Sequence, residues 1–213
     1  MKRQLKREGA APLGNGAERA TSTPKRRVYL GIDSGVSGAW AFITESERVI
    51  RTGTYKKGLD DMIAGLRSAA SAGVEVLACV ELAHAMPNDG KCSVSTYIEA
   101  YGIVQGILKA LNVPREFVSS NRWQKHTWDS MPAKLPKPVK AISDAELRRL
   151  QERTRRLNKE KLKEHCNEFV ARRWPLLARV VAIKKNQGIA DAICIALYLK
   201  RRTMGEIQNA RND

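Results

Sequence analysis

The chain has 213 residues, 43% of them hydrophobic, enough to bury one proper core and too few to promise a second. Lys and Arg number 38 against 22 Asp and Glu, and the resulting net charge of +16 favours a polyanionic partner, nucleic acid first, with solubility or an anionic membrane surface as the blander reading. No apolar run approaches the ~20 residues of a spanning helix, which excludes a transmembrane protein, and Cys79, Cys92, Cys166 and Cys194 form no Cys-x-x-Cys pair while His84, His126 and His165 lack zinc-site spacing, so reduced thiols inside a cell are expected and zinc is not.

Residues 1–26 mix basic residues with Gly, Ala, Pro, Ser and Thr and show no apolar period, which predicts a flexible basic arm. It either grips DNA loosely or belongs to an organellar presequence, where Glu8 and Glu18 sit awkwardly. From Val28 the pattern turns strand-like over 28–33, 40–43 and 48–54, which predicts three successive antiparallel strands. Asp60 can cap a helix reaching Ala72, and 75–81 is a nearly unbroken apolar run bounded by acids, as in a central strand. After a loop over 82–92, Ser93 opens a helix to Leu111 in which Gly102 and Gly106 leave one face bare. A short strand at 116–118 precedes a brief helix capped by Asn121 and holding Trp123, Lys125 and Trp128. The Pro-rich stretch 131–138 reads as a connector. Ser143-Asp144-Ala145-Glu146 is a capping box for an Arg-rich helix, with Asn158 restarting a second one that reaches Trp174 before Pro175. Residues 188–201 make the last helix, and 203–213 a tail. The order of elements predicts an α/β fold: one mixed five-stranded sheet, three antiparallel strands followed by parallel ones, flanked by helices. The core domain is expected over 27–202, with 129–158 inserted as connector and basic helix.

Three acids stand at the edges of apolar runs. Asp33 ends the first strand and is followed by Ser34, Gly35, Ser37 and Gly38, small residues that let a phosphate backbone approach; the bland alternative is a Gly-rich turn. Glu81 ends the central strand, where a charge is costly unless solvated or coordinating. Asp191 opens the last helix, where it either joins the other two or simply complements the helix dipole. Mg²⁺ takes hard oxygen ligands, so acids converging from distant segments of a basic protein point to metal-dependent work on a phosphodiester.

The Gly31-Ile32-Asp33-Ser34-Gly35 run with Gly38-Ala39, Val80-Glu81, Met86-Pro87-Asn88-Asp89-Gly90-Lys91, Ser95, Gly102 and Gly106 form one ordered set. Arg122-Trp123-Gln124-Lys125, Asn158-Lys159-Glu160-Lys161 feeding Trp174-Pro175, and Gly188-Ile189-Ala190-Asp191-Ala192 continue it. Together, over roughly 27–201, they resemble the RuvC-like Holliday-junction resolvases of the RNase H-like superfamily, closest to the phage and chloroplast-type branch. The resemblance implies an RNase H-like fold and a homodimer that nicks a four-way DNA junction symmetrically, leaving 5′-phosphate and 3′-hydroxyl ends. It implies Mg²⁺, with Mn²⁺ as a substitute, held by Asp33, Glu81 and Asp191. Lys159 is expected to offset charge on the reacting phosphate, and Lys91, Arg122, Lys125, Lys159, Lys161, Lys184 and Lys185 to contact the DNA backbone. A DNA-containing compartment follows, whether an organellar nucleoid or a phage-infected cytoplasm, and no membrane.

One departure stands out. Similar enzymes commonly carry a further Asp or His just before the last acid, where this chain reads Lys185-Asn186-Gln187-Gly188. Asn186 or Gln187 binds metal through its amide oxygen, or Asn186 stands where an acid has been exchanged, or the chain binds junctions without cutting them. Another nuclease of the superfamily, acting on hybrid or branched substrates, is the remaining alternative. Two features stay open between partner and core: the Gly102/Gly106 face as dimer interface or internal packing, and Trp123 and Trp128 as wedges against unpaired bases or as core. The Arg148-to-Arg156 cluster either crosses a junction arm or is a solvated helix.

Overall fold

The computed structural model describes residues 26–35, 38–82, 91–140 and 143–205. Strands β1 (Arg27–Asp33), β2 (Ala39–Thr44) and β3 (Val49–Thr54) are followed by α1 (Tyr55–Ser71), β4 (Glu75–Glu81), α2 (Lys91–Ala110), β5 (Arg115–Val118), α3 (Ser120–Thr127), α4 (Asp144–Arg173), α5 (Ala178–Val181) and α6 (Gln187–Thr203). The sheet order is β3-β2-β1-β4-β5, antiparallel across β1, β2 and β3 and parallel across β1, β4 and β5. The mixed five-stranded sheet expected from the sequence is therefore present. The expectations for 1–25, for Ser37, for 83–90 with His84 and Met86 to Gly90, and for 206–213 fall outside the described residues, as do the side chains of Lys91, Cys92 and Gln187.

Alternation along the strands sorts two cores. Leu30, Ile32, Trp40, Phe42, Ala78 and Val80 face α1 and α2, where Met62, Leu66, Val104 and Leu108 meet them. Tyr29, Ala41, Ile43 and Cys79 face the other way, toward α6, with α3 and the end of α4 closing that side. Helix α6 is buried almost all round from Ile189 to Leu199, as a helix apolar on every side must be. Each large side chain such as Ile193, Ile195 or Leu197 contributes about 1.5–3 kcal/mol by leaving water. A Cβ at Gly31 would stand 2.1 Å from the Ala192 carbonyl and 2.3 Å from the Ala196 nitrogen, so the missing side chain is what lets α6 lie directly on β1.

Several local expectations are corrected. Helix α1 starts at Tyr55 rather than at Asp60, with a break at Gly58 (φ −156°, ψ 17°) whose carbonyl accepts the Trp40 indole N–H at 3.0 Å. The N-cap of α3 is Ser119, not Asn121. Ser143 caps α4 through the Glu146 N–H at 3.3 Å as expected, but α4 then runs 30 residues without a restart at Asn158. That side chain turns sideways, its Oδ1 accepting from the Leu135 N–H at 2.7 Å and its Nδ2 donating to the Leu135 carbonyl at 3.3 Å. Asn158 thus pins the connector to the helix instead of capping one. At the far end of α4, Glu47 in the β2–β3 turn accepts from Arg173 and from Lys200 (3.3 Å), and its carbonyl accepts the Trp174 indole N–H at 2.7 Å. The turn so clamps α4 and α6 to the sheet.

Candidate active site

The two parallel strands deliver two acids side by side. In the β1–β4 register Gly31 lies opposite Cys79 and Ile32 opposite Val80, so Asp33 and Glu81 occupy the next step at the C-terminal ends of neighbouring strands. Both share the parity of Tyr29, Gly31 and Cys79 and point to the α6 face. The close seat of Ala192 on Gly31 then brings Asp191 to the same edge. Crevices outside the carboxyl ends of parallel strands are where α/β sheets bind ligands.

Local hydrogen bonds fix Asp33 and Glu81. The Gly35 N–H donates to Asp33 Oδ1 at 3.1 Å, so the Gly-rich turn itself orients the carboxylate, and the turn and site readings of Asp33 are compatible. Ser34 Oγ donates to the Glu81 carbonyl at 2.7 Å and stitches the two strand ends together. Ser120, the first residue of α3, donates its hydroxyl to Glu81 Oε1. Beside Asp191, the Cys166 thiol lies 3.6 Å from Cys194 Sγ.

All three acids are half-buried, and burial is the largest influence on each. It raises Asp33, against the Gly35 N–H and the charge of Lys163. Glu81 is pushed up to about 7 by burial and then by the Asp33 charge, against the Ser120 hydroxyl and the neighbouring Trp123 indole. Asp191 is pushed up to about 8 by burial and by Asp33, with Cys166 opposing, Glu81 adding and Lys163 opposing. Carboxylates that raise one another in this way are short of positive charge.

That shortage, together with an all-oxygen set of carboxylates, fits a hard divalent cation. Among the described residues no three His, Cys, Asp or Glu side chains already surround one point, so the acids are an open cluster rather than a finished coordination sphere. Asn186 is the residue before α6, and its Nδ2 donates to the Val180 carbonyl at 3.0 Å.

The cation whose charge reaches both Asp33 and Asp191 is Lys163, a residue the sequence reading did not single out. Lys159 is exposed one turn earlier on α4, and Lys161 is exposed as well. Arg122 and Lys125 are exposed on α3, and the Arg122 charge acts on Glu116, His126 and Tyr198. Lys184 and Lys185 are exposed in the 3₁₀ turn before α6. Trp123 and Trp128 are 1% and 5% exposed and pack edge to face with centroids 5.5 Å apart, so both are core and neither is available as a wedge. His165 meets Trp128 at 4.8 Å in the same aromatic cluster. At Gly102 and Gly106 an added Cβ would meet nothing within 4 Å among the described residues, so no described element packs against that small-residue face.

No protein-family profile matches the chain, and no curated protein matches it. Among solved structures the chain is similar to T. thermophilus RuvC in complex with a Holliday junction substrate, at 15% identity and a TM-score of 0.48 over 84% of this chain and 96% of that one. It is also similar to Thermus thermophilus RuvC at 14% identity and a TM-score of 0.41, over the same shares.

Proposed function

We propose that this protein is a divalent-metal-dependent endonuclease that resolves four-way DNA junctions as a homodimer. The observation that carries the reading is the meeting of Asp33, Glu81 and Asp191 at one sheet edge with Lys163 beside them, on a chain of net charge +16. The motif resemblance narrows the substrate from nucleic acid at large to a junction. Mg²⁺, with Mn²⁺ as substitute, would be held by Asp33, Glu81 and Asp191, and when bound it supplies charge neutralisation and an activated water at the phosphate.

The chain's own residues do the positioning. Gly35 and Ser120 hold one oxygen each of Asp33 and Glu81 in a fixed direction, which keeps the acids preorganised. Ser34 and Gly35 leave room above Asp33 for a phosphodiester. Lys163 offsets negative charge that builds on the phosphate, with Lys159 next along the helix. Arg122, Lys125, Lys161, Lys184, Lys185 and Lys91 are the proposed backbone contacts, which position the duplex without reading sequence. A twofold junction suits a twofold enzyme. The exposed face of α2, where Gly102 and Gly106 lie open near Ile98 (57% exposed) and Ile103 (46%), is the proposed dimer contact.

The test is a nicking assay on a synthetic four-way junction with and without Mg²⁺. Paired, symmetric nicks that require the metal are expected. Asp33→Asn should reduce cutting on the order of 1000-fold, a loss of about 4 kcal/mol of transition-state stabilisation, and leave junction binding intact. Unchanged cutting by that variant would sink the assignment. The absence of a fourth acid, with Asn186 bound to Val180, favours one second reading, a junction-binding protein that no longer cuts. Wild-type protein silent on junctions, with no gain from Asn186→Asp or Gln187→Asp, would select it.

A further inference from the structure

We propose that the exposed N-terminal two-thirds of α4 is a rigid phosphate-binding rail that carries one duplex arm of the DNA toward the acid site. Between 131 and 163 the chain holds eleven Lys and Arg against four Asp and Glu. At 100° per residue, Arg148, Arg149, Arg155, Arg156, Lys159 and Lys163 fall within an arc of about 120°. All six are exposed. They form one face, and Lys163 at its end is the residue whose charge reaches Asp33 and Asp191.

Beyond Lys163 the same face carries Cys166 and Val170, both buried against α6. The face that packs on the core in the last third of the helix is therefore the face that is bare and basic before it. The rail consequently looks out on the side of the molecule where the acids lie. From Arg148 to Lys163 it runs about 22 Å at 1.5 Å per residue. That length matches about six phosphates of one strand, spaced about 3.4 Å along the axis.

A polar helix of this kind is marginal alone in water. Here one flank of the basic face is braced. Asn158 holds both backbone groups of Leu135, and Gln151 Nε2 donates to the Pro138 carbonyl at 3.2 Å. The connector between them contains Pro132, Pro136 and Pro138, whose fixed φ makes it a stiff strut. Glu152 lies within the arc, and Glu160 at its margin forms an exposed pair with Arg156 at 3.8 Å, so the face keeps a net positive charge with both acids counted.

Charge complementarity selects a polyanion, and the composition of the face selects nucleic acid over a lipid surface. Arg predominates, and its planar fork matches phosphate oxygens two at a time. No large apolar side chain stands within the arc, whereas a helix lying on a membrane needs one face of them.

The inference rests on the junction reading only for the identity of the duplex as a junction arm. The test measures DNA affinity against salt for wild type and for the Arg148→Gln/Arg149→Gln/Arg155→Gln/Arg156→Gln variant, on both a four-way junction and a linear duplex. Affinity at about 0.1 M salt should fall at least tenfold, and the slope of log K against log salt should become shallower by about 3 to 4, at about 0.9 per lost phosphate contact. The matching Arg→Lys variant should keep the slope, and both should melt within a few degrees of wild type. If the quadruple Gln variant misfolds, Arg148→Gln/Arg149→Gln at the unpacked tip replaces it, with a slope change of about 1 to 2. An unchanged slope in a folded variant overturns the rail even where wild type cuts junctions. A shallower slope on linear duplex from a protein that neither prefers nor cuts junctions supports the rail and removes the resolvase reading. Loss of binding to phosphatidylserine vesicles with an unchanged DNA slope overturns it in favour of a membrane surface.

Discussion

At the C-terminal edge of the sheet, Asp33, Glu81 and Asp191 are held by backbone packed so closely that no side chain fits at Gly31. Along the first two-thirds of α4, by contrast, charged side chains stand in solvent, and the backbone is steadied by a proline-rich strut. The two regions answer different physical demands. The proposed metal chemistry would depend on the placement of a few oxygens within fractions of an ångström, and the acids proposed to hold the metal sit on core elements whose positions packing dictates. Attraction for a phosphate backbone acts over a Debye length of about 8 to 10 Å and tolerates side-chain motion, so a surface helix suffices. Affinity and chemistry can then be lost separately.

The sharpest way to break the comparison is at Gly31. Gly31→Ala places a methyl carbon 2.1 Å from the Ala192 carbonyl, against backbone rather than a flexible side chain. Helix α6 must move, and a loss of about 3 kcal/mol or more in chemical denaturation is expected, together with loss of metal-dependent cutting. An equally drastic change at the solvent-facing Arg149, Arg149→Ala, should leave stability within about 0.5 kcal/mol. Comparable losses at both positions would show that the arm is part of the core.

A milder test concerns the hydroxyl that holds Glu81. Ser120→Ala should leave the fold intact and raise the Mg²⁺ concentration needed for half-maximal cutting by about 10-fold, with Ser120→Thr restoring most of it. An unchanged metal requirement would reduce Ser120 to a helix-start residue.

The smallest expected effect is on stability against pH. Because Glu81 and Asp191 are raised to about 7 and about 8, the folded protein retains protons that the unfolded chain releases above the ordinary carboxylate range. Metal-free stability is therefore greatest below that range and falls as pH rises through 7 to 8. Melting should drop on the order of 5 °C between pH 6 and 8.5, and Mg²⁺ should restore more of it at the higher pH, since a cation favours the charged acids. A melting temperature that rises over that interval would contradict the crowded-acid description.

Much of this arrangement is legible in the sequence. The period-two pattern of 28–33 and the unbroken apolar run of 75–81 locate β1 and β4, and put Asp33 and Glu81 at their ends. Less legible were features whose cause lies in another element. Helix α1 breaks at Gly58, two residues before Asp60, where Trp40 on β2 takes the Gly58 carbonyl. Asn158 looks like a cap until the connector supplies Leu135 as its partner. Trp128 looks available to DNA until Trp123 and His165 enclose it. Lys159 rather than Lys163 stands out in the sequence, although Lys163, three residues before Cys166 and seven before Val170, lies on the helix face that packs inward farther along. Ser120 carried no signal of its own, since its role follows from the β4–β5 register that sets Glu81 opposite Val118.

The chain by itself decides which segments are strands and helices, which way each residue faces, and that its surface is strongly cationic, because periodicity and charge are local properties summed along the backbone. Only tertiary structure decides that three acids up to 158 residues apart in the chain share one edge, with Lys163 as their neighbouring cation. That outcome depends on the bare backbone of Gly31 admitting Ala192 and Ala196, and close packing between distant elements is fixed by shape in three dimensions, which no local period encodes.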